Sequence, residues 1–535
     1  MSGEGGRCQQ QPGDGPDRLQ LTLAETAETL GGIFASSLGP FGSRKCVVGK
    51  NDDISLVKDG LSIASALARD HPVVKVIREV AEVMNATSGD GVSSAVVILG
   101  SLMNEAAKVI SAGIHPLQVI EGFGLAAEGA LSALEEMATF YPPLGRRILE
   151  SVAITSLRTK LRMPLAIDSS RLIADATRRL AEQRDGGYSL DQDAIFVTGK
   201  TGSSGPRTEL VGGLILDKTA VASDMPKMIE GASVAILDSL EMKGSTFDVI
   251  VELVTPDAMK AMIEDETRFL ENFIVRLKGL KVRFVVCKGG IDDYVARRLS
   301  KEGILAVKLV SPEELRRLER ATGAQLAIPS ELTPSDLGWA GTVEESGAGE
   351  ERYIQLSRCR DPKTVSLVLR RGNKDLAGDA VKAINSSLIL LRSFLEDPRV
   401  VSGGAATEVE LSVRIQKKAR SVVGRQQMAM EAFSRAILSV PEALSQNAGL
   451  DPLGTLAELI AAHKTGFTSA CLDLESGGIA DAVTAGLLEP LAMRRQVIRS
   501  ACDAAVALLR CDEAFTRRGR GNGKVRDKKV SNTIN

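Results

Sequence analysis

Apolar side chains recur at helical spacing over long stretches near both ends of the chain. Three or four apolar positions in every two turns give each such segment one face that can be buried. Several of the segments begin with proline, which fits the first helical turn. In two of them the proline directly follows a histidine. The predicted helices cover Leu21–Ser37, the residues from Leu61, those from Pro72 into Ser88–Ile110, Pro116 to about Ala138, about Leu144–Ala181, the residues from about Leu376, and Ala492–Leu509.

The pattern changes near Glu209, where short apolar runs alternate with helical segments. Such alternation predicts a compact α/β module inserted between two helical parts. Ser311-Pro312-Glu313-Glu314 has the form of a capping box and predicts a helix ending at Gly323. The predicted strands are Leu214–Leu216, Val234–Leu237, Val282–Val286 and Ile304–Val310, followed by Tyr353–Leu356 and Val365–Arg370.

A longer helix, predicted from Thr255-Pro256, interrupts this module and has apolar residues on one face. The spacing fits a helix of the core and a projecting segment equally well, so both interpretations stay open. The chain crosses twice between the helical parts and the insert, which allows a hinge. The apolar positions are Met259, Ile263, Leu270, Phe273, Ile274 and Leu277.

Composition indicates a multidomain globular protein without a dominant charge. The 535 residues suggest three or four domains, and the net charge of -2 provides no field that would recruit nucleic acid or a membrane. The seven cysteines are scattered and odd in number, which argues against zinc or disulfides and indicates a reducing compartment. No signal peptide and no long apolar run are apparent, so we expect a cytoplasmic protein. Residues 1–17 and the basic residues 515–535 are predicted to be flexible tails.

The stretch from Ser88 to Ser94 has the residues of a phosphate site. Gly89 and Gly91 allow close backbone approach, and the serines add hydroxyls beside the free N–H groups of a helix start. Asp90 would repel phosphate unless a cation such as Mg²⁺ bridged the two. Alone, this motif is more typical of an ordinary turn before a buried helix.

Other glycine turns carry similar alternatives. Leu38-Gly39-Pro40-Phe41-Gly42 and Ser402–Glu408 suit backbone contact with a nucleotide or plain turns, whereas Lys58-Asp59-Gly60 is more typical of a structural turn. Gly199-Lys200-Thr201 imitates a Walker A ending, but Ala194 occupies the first glycine position, so that interpretation is rejected. With three histidines in the chain, catalysis by a histidine base has little support, and His71 and His115 before proline are expected to cap or pack.

Taken together, these motifs resemble those of the group II chaperonins, the archaeal thermosome and eukaryotic cytosolic chaperonin subunits, more closely the thermosome. The likeness extends from about Leu21 to Glu513 and its motifs stand in the family's order. They are Leu38-Gly39-Pro40, Lys58-Asp59-Gly60, His71-Pro72, Gly89-Asp90-Gly91, His115-Pro116, Thr155–Lys160, Lys288-Gly289-Gly290-Ile291-Asp292-Asp293, Gly403-Gly404 and Glu489-Pro490.

The resemblance implies a multidomain α and α/β chaperonin fold. It implies an all-α equatorial ATP-binding domain at 18–144 and 400–514, an intermediate hinge domain at 145–208 and 366–399, and an α/β apical substrate domain at 209–365. A helical lid protrusion is expected at about 243–280. Other chaperonin subunits in a homo- or hetero-oligomeric double ring and unfolded client proteins are the implied partners, with no nucleic acid and no membrane.

The resemblance also implies the residues of an ATP and Mg²⁺ site. Asp90 matches the metal ligand, Asp59 an aspartate near the attacking water, and Lys160 a lysine that senses the γ-phosphate. The position of the family's water-orienting aspartate falls on Ser386, and Glu489 matches an acidic ribose contact. The remaining nucleotide contacts are Leu38, Gly39, Pro40, Gly91, Ser93, Ser94 and Gly404.

Four positions depart from the family pattern. Val92 replaces a threonine, Phe41 a lysine, Ala405 a glycine and Ser386 the aspartate. A serine cannot take a proton near neutral pH as a carboxylate can, and a positioned base typically contributes about 10²- to 10⁴-fold. Asp379 lies about two helical turns, or ~10 Å, from Ser386 and is expected to be too far away to substitute.

We therefore expect an ATP-dependent chaperone subunit with weakened hydrolysis. The alternative is a non-hydrolysing chaperonin-like scaffold or assembly factor, for which loss of ATP binding would be the sign. A small-molecule kinase or synthetase would need an acceptor motif, and the sequence shows none.

Overall fold

The computed structural model describes residues 16–49, 54–68, 71–184, 187–201, 207–241, 256–347, 352–359, 364–371 and 374–511. Most of the predicted tails and the first part of the predicted protrusion lie outside these residues. The described chain divides into a helical body, a linking segment and an α/β module, in the order that the hydrophobic pattern predicts.

The helical body contains both ends of the described chain. Its helices are α1 (Pro16–Ala35), α2 (Gly60–Ala66), α3 (Pro72–Ser88), α4 (Val92–Ser111), α5 (Pro116–Met137), α12 (Ala406–Ala419), α13 (Gln426–Ile437), α14 (Ser439–Asn447), α15 (Pro452–Lys464) and α16 (Leu491–Leu509). Its strands form two hairpins, β1 (Lys45–Val48) with β2 (Ile54–Val57) and β17 (Ala470–Leu472) with β18 (Ile479–Asp481), and a sheet of β3 (Thr139–Phe140), β16 (Arg399–Ser402) and β19 (Leu488–Pro490).

Helix α4 lies at the centre of this body and packs against α1, α13 and α16. A Cβ on Gly100 would lie 2.8 Å from the carbonyl oxygen of Ala27, so glycine is what allows α1 to approach so closely. Among the described residues α4 alone is long and apolar enough to cross a membrane, yet 67% of its apolar stretch is buried in the protein. It is thus a core helix of the body.

The predicted caps are present. His71 Nδ1 accepts a hydrogen bond from Val73 N at 3.3 Å, and His115 Nδ1 accepts one from Leu117 N at 3.2 Å. Both histidines therefore begin helices, as their position before proline predicts.

The linking segment joins the helical body to the α/β module. It contains α6 (Arg146–Leu157), α7 (Met163–Leu180), the hairpin β4 (Glu182–Arg184) and β5 (Gly187–Ser189), a 3₁₀ turn Gln192–Ala194, the sheet strands β6 (Ile195–Thr201), β7 (Arg207–Val211) and β15 (Val365–Arg371), and α11 (Lys374–Glu396). β15 pairs parallel with β6 and antiparallel with β7, so both chain crossings run through one small sheet. The rejected Walker-like lysine, Lys200, lies on β6 and forms an ion pair with Asp217 at 2.5 Å.

The α/β module has its own hydrophobic core. Its strands are β8 (Gly213–Leu216), β9 (Met228–Leu237), β10 (Val282–Cys287), β11 (Leu305–Val307), β12 (Leu326–Ala327), β13 (Gly338–Ser346) and β14 (Tyr353–Ser357), with α8 (Pro256–Gly279), α9 (Asp293–Lys301), α10 (Pro312–Thr322) and a 3₁₀ turn Pro334–Asp336. The sheet order is β11-β10-β9-β13-β14-β8, with β12 also paired to β9. The predicted capping box at Ser311 and Glu314 is formed.

Helix α8 connects the parallel neighbours β9 and β10. Its C-terminal residues Leu270, Phe273, Ile274 and Leu277 are buried in the core of the module. This half of the apolar stripe is therefore core, although the predicted protrusion extends to residue 280. Thr255 and the side chains of Met259 and Ile263 are outside the part of the chain that the structure describes.

Candidate functional site

One cavity of about 420 Å³ opens in the helical body and the adjoining part of the linking segment. Its walls come from the start of α4, the start of α12, the turn after α6, the loop after α1 and the β17–β18 hairpin. A cavity of this volume suits a small-molecule ligand of nucleotide size.

Two helices point their N-termini at this cavity without a side-chain cap. Gly91, with φ 85°, precedes α4, and Ala405, with φ 70°, precedes α12. The first N–H groups of α4 thus remain available to an anion, as do those of α12 after Ala406 N, which donates to Gly403 O at 3.3 Å, and the helix dipole favours negative charge there. Ser93 and Ser94 add hydroxyls on the cavity wall.

The loop after α1 forms another part of the wall. Asn447 Nδ2 donates to Leu38 O at 2.9 Å and Lys58 Nζ donates to Pro40 O at 3.1 Å. Gly39 has φ 77°, and a Cβ there would meet Leu444 at 2.4 Å. A side chain at this position would thus be both strained and crowded, so the sequence Gly-Pro fixes the loop against α14.

The part of the cavity that we call the aspartate end contains Asp59, Asp90, Lys58 and Lys160. Lys160 Nζ lies 3.3 Å from Asp90 Oδ1, and Gly91 N donates to Asp90 Oδ1 at 2.9 Å. Burial alone would raise the pKa of Asp90, but Lys160, the Ser156 hydroxyl and Gly91 N–H together hold it below the usual range. Asp90 is therefore ionised and ready to bind a cation.

Lys58 is the second lysine at this end. Burial, aided by the charge of Arg44, lowers the pKa of Lys58 to about 8. An anionic ligand would favour its charged form. Asp59 caps α2, because its Oδ2 accepts from Ser62 N at 3.1 Å, so the structural role expected of this turn is present.

A second charged group, the glutamate clamp, consists of Glu489 and Arg494, which line the cavity, and Glu408, which lies behind them. Arg494 donates to both carboxylates and joins α16 to α12 and to β19. Burial raises the pKa of Glu489, against the opposing effect of Arg494. Burial would lower the pKa of Arg494, but the two glutamates raise it far above its ordinary range. The clamp fixes Glu489 on the cavity wall.

The remaining lining bears on whether a metal site is preformed. Arg158 Nε, from a cavity-lining residue, is buried and has no partner among the described residues. In the described part of the chain no three His, Cys, Asp or Glu side chains cluster as a preformed metal site. One carboxylate, Asp90, beside a phosphate cradle fits Mg²⁺, which takes one or two carboxylates together with waters and phosphate oxygens.

The structure brings together every predicted site residue except Ser386. Asp59, Asp90, Lys160, Gly404 and Glu489 line the cavity. So do the predicted contacts Leu38, Gly39, Pro40, Gly91, Ser93 and Ser94.

Ser386 is buried on α11 behind the cavity wall. A Cβ on Gly89 would lie 2.2 Å from the carbonyl oxygen of Ser386, which shows how closely the two backbones pack. Asp379, about two helical turns before Ser386, lines a small crevice together with Asp59 and Lys160. From α11 the nucleotide-sized cavity is lined by Leu390, whereas Asp379 lines the crevice.

The other departures have plain structural effects. Val92 is buried and lies against the backbone of Gly60, where a Cβ would approach its Cγ1 to 2.8 Å. Phe41 is half exposed and does not line the cavity. Ala405 takes the left-handed conformation that glycine adopts more easily.

Sequence reasoning missed Arg494, Arg158 and the β17–β18 hairpin. Arginines on or after helices carry no signal that they turn inward. The hairpin could have been found from Gly477-Gly478, which separates two short apolar runs.

The fold and the cavity define a multidomain protein with a nucleotide-sized phosphate cradle in its helical body. The sequence profile of the TCP-1/cpn60 chaperonin family matches residues 30–517, and the chain belongs to this family. The predictions of a group II chaperonin subunit and of its multidomain fold are confirmed. Family membership implies that the chain binds nucleotide.

Similar proteins include thermosome subunits of archaea. The chain is 34% identical to a thermosome subunit of Pyrococcus abyssi over 495 residues, which cover 92% of this chain and 89% of the relative. It is 34% identical to thermosome subunit alpha of Archaeoglobus fulgidus over 508 residues, covering 94% and 93%. A thermosome subunit of Methanocaldococcus jannaschii is also 34% identical, over 92% of this chain and 90% of the relative.

Proposed function

We propose that this chain is an ATP-dependent chaperonin subunit that binds non-native protein and assists its folding. The observation that carries this proposal is the cavity, where the predicted phosphate, metal and ribose contacts converge. ATP would place its phosphates at the aspartate end, between the N-termini of α4 and α12, and its ribose near Glu489. Asp90 would bind Mg²⁺, which neutralises phosphate charge and leaves fewer charges for the protein to compensate.

The three parts of the fold support a division of labour. We assign the helical body to the equatorial domain, the linking segment to the intermediate domain and the α/β module to the apical domain. Both chain crossings pass through the β6–β15–β7 sheet, so a change at the cavity could move the α/β module as a rigid body. Partner subunits in a double ring, unfolded clients and a cytoplasmic location complete the proposal.

We propose further that hydrolysis is slow. Ser386 provides no carboxylate and is not on the cavity wall. The same observation favours a second candidate, a non-hydrolysing scaffold that binds partners through the α/β module. The two candidates differ in whether ATP turnover drives release of a folded client.

The test is phosphate release by the purified chain at saturating ATP and Mg²⁺, beside Ser386→Asp and the control Ser386→Ala. We expect slow release from the native chain and release at least about tenfold faster from Ser386→Asp, below the full effect of a positioned base, because movement of the linking segment would bring this part of α11 to the phosphates. Fast release from the native chain that Ser386→Asp leaves unchanged would contradict weakened hydrolysis. Refolding of a denatured client without any dependence on ATP would favour the scaffold.

A further inference from the structure

A second, much smaller cavity, the water-sized crevice, lies between α11 and the loops around α2. Its volume is about 20 Å³. To hold one water molecule, a cavity needs about 10–15 Å³ of space open to the centre of a water-sized sphere, together with two to four polar partners. The crevice offers charged partners of both signs, namely Arg44, Lys58, Asp59, Lys160, Asp379 and Lys382.

The crevice adjoins the nucleotide-sized cavity at the aspartate end. Lys58, Asp59 and Lys160 line both spaces. A water in the crevice would thus lie beside any phosphate held at the aspartate end. The four cations against two carboxylates would draw the outermost, most highly charged phosphate toward it.

Asp379 provides the crevice with a carboxylate from α11. Its Oδ2 accepts a hydrogen bond from Arg44 Nη1 at 2.8 Å. Its Oδ1 makes no hydrogen bond to any residue that the structure describes. Arg44 thus fixes the carboxylate by one oxygen and leaves the other for a water.

Asp59, the other carboxylate of the crevice, already accepts hydrogen bonds in a helix cap. The Ser62 N–H and hydroxyl both bond to its Oδ2, at 3.1 Å and 3.3 Å, as part of the cap of α2. Asp59 and Asp379 come from separate parts of the chain and line the same small space. Two carboxylates around one water can fix its orientation, because each accepts one of its protons.

We propose that the water-sized crevice holds the water that attacks the terminal phosphate of ATP, and that Asp379 is the catalytic residue that accepts its proton. The inference rests on the proposed function, since it concerns the same cavity. The water oxygen forms a bond to the γ-phosphorus, and the bond from that phosphorus to the β–γ bridging oxygen breaks. ADP leaves with the electron pair, and the proton passes to Asp379 Oδ1 and then to solvent.

Ser386 and Asp379 have distinct positions and roles on α11. They are seven residues apart, which places them on the same face of α11 about 10 Å from each other. Ser386 packs behind Gly89, whereas Asp379 reaches the crevice. The carboxylate missing at Ser386 is thus present two turns earlier on the same helix face, and the remaining hydrolysis depends on it.

The experiment compares the full-length chain with Asp379→Asn in two measurements. In single-turnover hydrolysis we expect a fall of about 100-fold, the low end of what a positioned base contributes. In equilibrium binding, ADP with aluminium fluoride mimics the transition state with its attacking water, and ADP with beryllium fluoride mimics bound ATP. We expect affinity for the first complex to fall at least about tenfold and for the second to change less than about threefold, because only the first requires the oriented water.

Three further variants separate catalysis from structure. Arg44→Gln breaks the ion pair but keeps the carboxylate, so its loss of rate should stay below about tenfold. Asp379→Glu keeps a carboxylate and should retain more activity than the asparagine variant. Glu396→Gln, the same type of change at an exposed position of α11, is the matched control and should leave both measurements unchanged.

The outcomes are distinct. Equal losses in Asp379→Asn and Arg44→Gln would show that the ion pair only holds α11 in place, and would overturn the proposal. The proposal would also be overturned if Asp379→Asn bound ADP with aluminium fluoride as tightly as the native chain does. It would likewise be overturned if the native chain bound ATP but did not hydrolyse it. A native chain that binds no ATP would instead contradict the proposed function itself.

Discussion

The aspartate end and the glutamate clamp use the same kinds of charged side chain in opposite ways. In the glutamate clamp one arginine is buried between two carboxylates, and all three side chains come from the helical body. At the aspartate end two lysines and two aspartates are only partly buried, and Lys160 belongs to the linking segment. The clamp is a fixed structure, whereas the partners at the aspartate end can be exchanged for metal and phosphate. Chemistry and movement are therefore expected at the aspartate end alone.

The largest effect should come from breaking the clamp. Arg494→Met leaves two carboxylates buried without a cation, so we expect the free energy of unfolding to fall by about 3–5 kcal/mol. Urea unfolding measures this change. The adjacent Arg495 forms a more exposed ion pair with Glu135, and Arg495→Met should cost no more than about 1 kcal/mol. Equal losses from the two variants would contradict the distinction between clamp and surface pair.

Removing the Asp90 carboxylate should affect catalysis more than folding. Asp90→Asn is expected to reduce Mg²⁺-dependent phosphate release by about 100-fold or more, because the metal loses its protein ligand. ATP binding measured in EDTA should become tighter, since the phosphate cradle remains and the carboxylate that repels phosphate in the absence of metal is gone. If Asp90→Asn lowered metal-free binding as much as hydrolysis, Asp90 would serve the cradle rather than the metal.

The lowered pKa of Lys58 predicts a pH dependence of ATP affinity. As pH rises through about 8 the lysine loses its charge in the free protein, so affinity should fall by up to about tenfold per pH unit. ATP titrations between pH 7 and pH 10 test this, with Lys58→Arg, which stays charged, as the control. A native affinity that does not change over that range would contradict a charged Lys58 at the phosphates.

The same pKa has a consequence for stability. Because the folded pKa lies below the unfolded value of 10.5, the unfolded chain binds more protons between pH 8 and pH 10.5. The contribution of Lys58 to stability therefore rises with pH over that interval, opposite to its effect on affinity. Urea unfolding of the native chain and Lys58→Met at pH 7.5 and pH 9.5 measures the difference.

The smallest effect should come from the start of α12. Ala405 has φ 70°, a conformation that costs alanine about 1–2 kcal/mol and glycine almost nothing. Ala405→Gly relieves this strain but also increases the conformational entropy of the unfolded chain, which opposes the gain. The net stabilisation should therefore be about 0.5–1 kcal/mol. Ala406→Gly, in the helix itself, should destabilise by about the same amount. Thermal unfolding that shows loss in both variants would contradict strain at Ala405.

Local sequence rules predicted most of the elements and the phosphate motif around Asp90, whereas Asp59 and Lys160 were assigned to the site from the family resemblance. The glycines before α4, the prolines after His71 and His115, and the capping box at Ser311 each act within a few residues, so a short stretch is enough to recognise them. Their convergence on one cavity was inferred from a family resemblance. No local pattern measures distance between elements.

What sequence could not provide was long-range side-chain geometry. The partners of Arg494 are 5 and 86 residues away, and Asp379 finds Arg44 at a separation of 335 residues. The apolar stripe of α8 fitted both core and projection, since burial against another element leaves no mark in spacing alone. Ser386 was assigned by counting residues along the chain, whereas packing decides which turn of α11 reaches the crevice.

The central claim is that the aspartate end holds the phosphates of magnesium-bound ATP. Calorimetric titration of the native chain with ATP, with and without Mg²⁺, tests it most directly. The account predicts one ATP bound per chain, with an affinity that Mg²⁺ increases because the ion neutralises repulsion between Asp90 and phosphate. Absence of saturable ATP binding, or binding that Mg²⁺ leaves unaffected or weakens, would contradict it.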